Sequence, residues 1–159
     1  MISQRAQTGT LDSFDRRIID AVSKDGRITM TELATRVGLS KTPCHARLKR
    51  LEADGYIVGY RALLDPIKLG LEHVAFVEVK LSDTRAPALA AFNAAVQALP
   101  EIEECHMIAG NFDYLLKVRT TGITDYRTFL GEELTALPHV AQTSTYVAME
   151  AVKGTAVLD

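Results

Sequence analysis

Cysteine is scarce in this chain: two among 159 residues, Cys44 and Cys105, far apart and in no Cys-x-x-Cys spacing. That rules out a disulfide framework and a zinc site, and leaves reduced thiols of a cytoplasmic protein as the plain reading. Apolar residues never run to the roughly 18 in a row that a membrane-spanning helix needs. The opening MISQRAQTGT has no apolar stretch of the signal-peptide kind, so residues 1–10 are expected to be a mobile tail, with a second tail at 154–159. Internal repeats and low-complexity segments are missing. So are the spacings of an active site. The four histidines have no i, i+4 partner of the metal-binding kind. Cys44 and His45 are neighbours on a helix and point about 100° apart. Cys105 and His106, like Glu103 and Glu104, are strand neighbours on opposite faces. No catalytic residue, metal ligand or cofactor is expected.

A strong charge of either sign is also missing, since the net charge is only −2. The balance is uneven along the chain, however. Residues 1–61 hold eleven Lys and Arg against seven Asp and Glu, net +4, while residues 62–159 hold seven against thirteen, net −6. A basic first part and an acidic remainder suggest two jobs. With 47% hydrophobic residues there is enough to bury a core.

The first part reads as three helices. Leu11 to Lys24 has Phe14, Ile18 and Val22 on one face, Asp12 as its cap, Asp15 at its positive end and Asp25-Gly26 as its stop. Thr29-Met-Thr-Glu32 is a capping box for a short helix to Val37. Gly38-Leu39-Ser40 is a turn in which Gly38 supplies the unusual backbone angle, Leu39 plugs the gap and Ser40 caps the third helix. That helix runs from Lys41 to about Asp54 and buries Cys44, Leu48 and Leu51. Thr42, His45, Ala46, Lys49 and Arg50 lie opposite, with Arg47 at the flank. Tyr56 to Leu64 reads as one or two strands, which completes a winged helix-turn-helix over residues 11–61.

In such a domain the third helix lies in the major groove of double-stranded DNA. Thr42 and His45 would reach base edges, with Lys49 and Arg50 further along. Arg36, Lys41 and Arg47 would neutralise phosphates, and Ser40 sits at the helix start among them. The bland alternative is a helical protein–protein module with solvated charges.

After a linker at 62–70 the pattern becomes mixed over 71–153: strand Leu71–Ser82, helix Pro87–Leu99, strand Ile102–Ala109, a Gly110-Asn111 turn, strand Phe112–Thr120, a helix capped by Thr124 running to Leu137, and strand Val140–Val152. The order β-α-β-β-α-β is ferredoxin-like, so the fold class is α+β, a winged helix-turn-helix followed by a ferredoxin-like domain. Within it, Gly110-Asn-Phe-Asp-Tyr114 exposes successive backbone amides, a small nest that suits a carboxylate, and Asp113 is placed to meet an ammonium. Those two features fit a free amino acid. From the residues alone, a hairpin turn with a solvated aspartate is the simpler reading.

TLDSFDRRIIDAVSKDGRITMTELATRVGLSKTPCHARLKRLEADGYIVGYRALLDP resembles the DNA-binding half of the leucine-responsive regulatory protein/asparagine-regulator, or feast/famine, family. FNAAVQALPEIEECHMIAGNFDYLLKVR, YRTFLGEELTALPHV and TYVAMEAVK resemble its second half, closest to the leucine-responsive branch. The resemblance implies a bacterial, nucleoid-associated transcription regulator of amino-acid metabolism. It implies a homodimer formed through the second domain, with dimers assembling to an octamer or another ring. It also implies an amino-acid effector held between Gly110, Asn111, Phe112, Asp113 and Tyr114 and a wall at Thr143, Thr145 and Tyr146. Asn111 stands where relatives of that branch often carry Asp, which takes a negative charge away from the pocket. Leucine, from the resemblance, and proline, because related regulators of catabolic genes sense their substrate, are the first candidates. The alternative is an amino-acid-sensing oligomerisation module with no DNA-binding function of its own.

Overall fold

A computed structural model describes residues 10–153. The chain divides between Ala62 and Leu63 into two compact units, each with its own core.

The first unit is built from α1 (Ser13–Lys24), α2 (Met30–Val37) and α3 (Lys41–Ala53). Each of the first two helices opens with a complete capping box. The Asp12 side chain accepts the Asp15 amide while the Asp15 carboxylate takes the Asp12 amide, and Thr29 and Glu32 do the same for α2. Gly38 adopts φ 74°, and the Leu39 amide turns back to the Ala34 carbonyl at 3.0 Å, so the turn between α2 and α3 closes as its sequence demands. Ile18, Ala21, Leu33, Ala34, Val37, Cys44 and Leu51 form the core, with Leu39 and Leu48 packed at its edge.

Two expectations about this unit are corrected. Ser40 is the N-cap residue of α3 but its hydroxyl makes no cap bond. The reason is in the sequence: the third helical residue is Pro43, which has no N–H to offer. Second, Tyr56–Leu64 forms no strand. The Tyr56 and Ile57 amides return to the Leu51 carbonyl at 2.9 and 3.1 Å, and the segment then runs on with Val58 97% exposed. Among the described residues its β-favouring side chains are in no strand ladder, and propensity alone does not make one.

The second unit is a four-stranded antiparallel sheet with helices on one face. Its elements are β1 (His73–Leu81), α4 (Ala86–Val96), β2 (Ile102–Met107), β3 (Tyr114–Thr120), α5 (Ile123–Phe129) and β4 (Val140–Val147), and the strand order is β2-β3-β1-β4. Alternation decides which face is buried. Ala75, Val77, Val79 and Leu81 of β1, with Tyr114, Leu116 and Val118 of β3, pack on Phe92 and Val96 of α4 and on Tyr126 and Phe129 of α5. Phe76, Glu78 and Lys80 point to the other face. Burial thus alternates residue by residue along β1 from Ala75 to Leu81.

Several boundaries moved: β1 begins at His73 rather than Leu71, and α4 ends at Val96 rather than Leu99. The connection between β2 and β3 spans residues 108–113 rather than a Gly110-Asn111 turn alone. The last helix is capped at Gly122, not Thr124, which lies inside it. After Phe129 it continues as one turn of π-helix, Leu130–Leu134, and stops short of Leu137. The final strand ends at Val147 rather than Val152. The expected tails lie outside the described residues, apart from residue 10. No described helix is long and apolar enough to cross a membrane.

Candidate functional site

α3 presents two different surfaces besides its buried face. Thr42, His45, Ala46 and Lys49 form an exposed row on its outer side, with Lys41 at its start. Within 4 Å, none of Lys41, His45 and Arg36 has an ion-pair partner among the described residues. Lys49 pairs with Glu52 at 2.8 Å, one turn on, and that bond, joined by one from the Tyr60 hydroxyl, holds the Glu52 carboxyl below its usual range. Ser40, its hydroxyl released by Pro43, stands exposed at the N-terminus of the same helix. The helix start therefore offers a hydroxyl and unpaired backbone amides to an anion.

Arg47 and Arg50 belong to the other surface, the flank that meets α1. The Arg47 Nη1 lies 2.6 Å from the Asp12 Oδ2 and 2.9 Å from the Asp15 Oδ1, and the Arg50 Nη2 lies 2.6 Å from the Asp15 Oδ2. Asp15 is only 1% exposed, so both of its oxygens are occupied in the protein interior. Arg47 and Arg17 also lie over the Phe14 ring, with their guanidinium carbons 5.4 and 4.4 Å from its centroid. The Asp15 amide, followed by Arg47, holds the Asp12 carboxyl below its ordinary value, and Asp12 and then Asp15 push the Arg47 guanidinium higher still. Sequence reasoning put both arginines on the DNA side and saw Asp15 only as a helix-start charge. Its second role depends on how α1 crosses α3, and that has no local signature.

The eight residues proposed for an effector site divide as well. Gly110, Asn111, Phe112 and Asp113 sit together on the 108–113 connection, the first two exposed. Among the described residues the amides of 110–112 donate to no protein group. Asp113 is tied to the sheet: its amide donates to the Val79 carbonyl at 2.9 Å, its carbonyl accepts the Ile108 amide at 2.8 Å, and its Oδ2 accepts the Leu81 amide at 2.7 Å. Tyr114 faces inward, 2% exposed, with its ring 4.5 Å from that of Phe92. On β4, Thr143 and Thr145 pair with Val79 and Val77 on the helix-covered side, and the Thr145 Oγ1 lies 2.6 Å from the Tyr126 hydroxyl. Tyr146 pairs with Phe76 and points to the opposite face, 55% exposed. The three residues of the expected wall thus do not share a side.

Cys44 is buried and Cys105 half-buried, and burial pushes both thiols up, the opposite of what a reactive thiolate needs. Among the described residues no three His, Cys, Asp or Glu side chains gather as metal ligands.

Comparison with known proteins bears on both units. A winged helix-turn-helix DNA-binding model matches residues 11–58, and a model of the Lrp/AsnC ligand binding domain matches residues 74–158. The chain is 59% identical over 151 residues, 95% of its length and 97% of the relative's, to a proline dehydrogenase transcriptional activator of Rhizobium radiobacter. It is 49% identical to the leucine-responsive regulatory protein of Escherichia coli strain K12, covering 96% and 94% of the two chains. Among solved structures, a transcriptional regulator from Neisseria meningitidis in complex with L-methionine superposes with a TM-score of 0.88 at 33% identity, over 94% of this chain and 97% of that one.

Proposed function

This chain belongs to the Lrp/AsnC family of transcription regulators, and on that premise we propose which residues read DNA, which amino acid is sensed and how the protein assembles. The family settles the broad function: it is an amino-acid-responsive, DNA-binding transcription regulator and not an enzyme. In the proposed reading α3 enters the major groove. Thr42 and His45 contact base edges, Lys49 follows along the groove, and Lys41, Arg36, Ser40 and the first amides of α3 bind phosphate. The supporting observation is the exposed row Thr42–His45–Lys49 beginning at an uncapped helix N-terminus. Arg47 and Arg50 stand apart from this set, because both are engaged by Asp15.

The proposed effector is proline, and the proposed target is a gene for proline breakdown. Support comes from the 59% identity to an activator of proline dehydrogenase, against 49% to the leucine-responsive protein. The unpaired amides of 110–112 would take the carboxylate, and the Asp113 carboxylate, which has one oxygen beyond its bond to Leu81, would take the ammonium. The sheet face carrying Phe76 and Tyr146 would be covered by a second copy, giving a homodimer that assembles further to an octamer on the nucleoid in the cytoplasm. Proline would act by binding the assembled and dissociated states unequally.

Selection from random duplexes tests the DNA part. The recovered site should be an imperfect palindrome with half-sites about one helical turn apart. Thr42→Val or His45→Ala should weaken binding to it about tenfold, the scale of one base contact. Unchanged binding by both variants refutes the assignment of α3. Calorimetric titration tests the effector: heat with proline and none with leucine is expected, and the reverse refutes it.

A further inference from the structure

We propose that Asp15 is a positioning residue for DNA recognition: it holds Arg47 and Arg50 as internal ligands and so sets the rotation of α3 on α1, which aims the Thr42–His45–Lys49 row. The proposal rests on the reading of α3 given above.

Four observations carry it. The Asp15 carboxylate is buried, and each oxygen takes one arginine, Oδ1 from Arg47 and Oδ2 from Arg50. Those residues are three apart on α3, so the two bonds grip nearly one helical turn at two levels and oppose both rolling and sliding. Asp12 takes the same Arg47 nitrogen as Asp15, and the Phe14 ring lies beneath that guanidinium, so the clamp is anchored on three residues of the first turn of α1 and its cap. Finally, the carboxylate is itself fixed, because Asp15 also closes the capping box of α1 through the Asp12 amide. A buried carboxylate with two arginines and no apolar substitute is a poor device for stability alone, since apolar packing of the same volume commonly does as well. It is a good device for orientation, because its bonds are directional and α3 has few buried residues, Cys44 and Leu51, to set its rotation by packing.

The expected effect is opposite in sign to the usual one for arginines on a recognition helix. If Asp15 consumes them, freeing them adds cations to the surface while loosening the aim of the helix. In full-length Asp15→Asn, the affinity for the selected palindrome should fall about tenfold, comparable with one lost base contact. Affinity for poly(dI-dC) should rise, and its dependence on salt should steepen, by up to about 0.9 in log–log slope for each freed arginine that finds a phosphate. A merely structural role would lower both affinities together with the slope unchanged, and that result overturns the proposal. So does an unaltered ratio of the two affinities.

Arg50→Met gives a second route that does not disturb the interior as much, since that side chain is 52% exposed. Its affinity for the palindrome should fall while the salt slope of the complex stays as it is. A slope shallower by about 0.9 makes Arg50 a phosphate ligand and overturns the assignment. In the double variant the two losses should not add, as befits two members of one contact. Failure of the underlying reading looks different: Thr42→Val and His45→Ala would then leave binding untouched whatever Asp15 does.

Discussion

Replacing Asp113 with alanine removes the acceptor of a bond that pins the 108–113 connection to the end of β1. The Leu81 amide, in a residue 6% exposed, donates to the Asp113 Oδ2 at 2.7 Å. Without the carboxylate that amide is buried and unpaired, and the loss of a hydrogen bond to a charged group costs about 1.5–3 kcal/mol. With a urea dependence of about 2 kcal/mol per molar, the unfolding midpoint of this unit should fall by about 1 M. The measurement is urea unfolding at one fixed protomer concentration, because assembly adds its own stabilisation, together with hydrogen exchange of the Leu81 amide. Asp113→Asn keeps an oxygen in place and should recover more than half of the loss. It also lacks the negative charge for an ammonium. Aspartate-to-asparagine is therefore the clean test of the effector proposal: response to proline lost, Leu81 still protected. An alanine variant that unfolds like the native protein with Leu81 still protected refutes the structural account. An asparagine variant as unstable as the alanine one refutes the claim that the retained oxygen is what matters.

Three further outcomes are expected. Gly38→Ala places a side chain at φ 74° with its Cβ 3.9 Å from the Arg17 Nη1; space is adequate, so the cost is backbone strain of about 1–2 kcal/mol, read as a lower midpoint for unfolding of the first unit. Leu51→Ala empties the centre of the same small core, where Leu51 is fully buried, at about 2–5 kcal/mol; DNA binding at 37 °C should be lost and partly recovered on cooling to 15 °C. For acid stability the group to test is Glu103. Burial pushes its carboxyl up, but bonds from Arg119 and Lys117 outweigh this and leave it below its ordinary 4.5. Folded pKa below unfolded pKa means stability present above about 4.5 and lost as the pH falls through the lowered value. Glu103→Gln should accordingly flatten the decline of stability below pH 4.5, measured by thermal unfolding between pH 3 and 7; an unchanged slope refutes the pairing.

Legibility in the sequence divides along a physical line. Features made by residues three or four apart could be read directly. The Asp12–Asp15 and Thr29–Glu32 boxes, the left-handed Gly38 and the 2-residue alternation of β1 depend on little else. The uncapped Ser40 was also open to inspection, since Pro43 stood at the position whose amide the cap needs. Features made across the fold were not. Tyr56–Leu64 has the residue types of a strand, but among the described residues it forms none. The π-turn at Leu130–Leu134 left no trace, because Phe129, Leu130 and Leu134 keep a helical spacing whichever carbonyl each amide reaches. Thr143, Thr145 and Tyr146 looked like one wall when taken as a cluster, although alternation along β4 already forbade that.

The arginines show why that line matters for function. A helical wheel of α3 gives Arg50 an outward place and Arg47 a flank, and positive charge near a recognition helix is naturally assigned to phosphate. On that assignment, charge reversal at both positions would test DNA contact. With Asp15 buried between them, the same substitution puts two carboxylates against a third that is cut off from water, so DNA binding would disappear whether or not either arginine ever meets DNA. A substitution can report on an interface only if the residue does not also hold the interface in shape. On α3 the polar residues that pass this condition are the exposed ones with no ion-pair or side-chain hydrogen-bond partner among the described residues, Lys41, Thr42 and His45, whereas Lys49 is tied to Glu52. It is the removal of those three that separates reading of DNA from the scaffold that aims it.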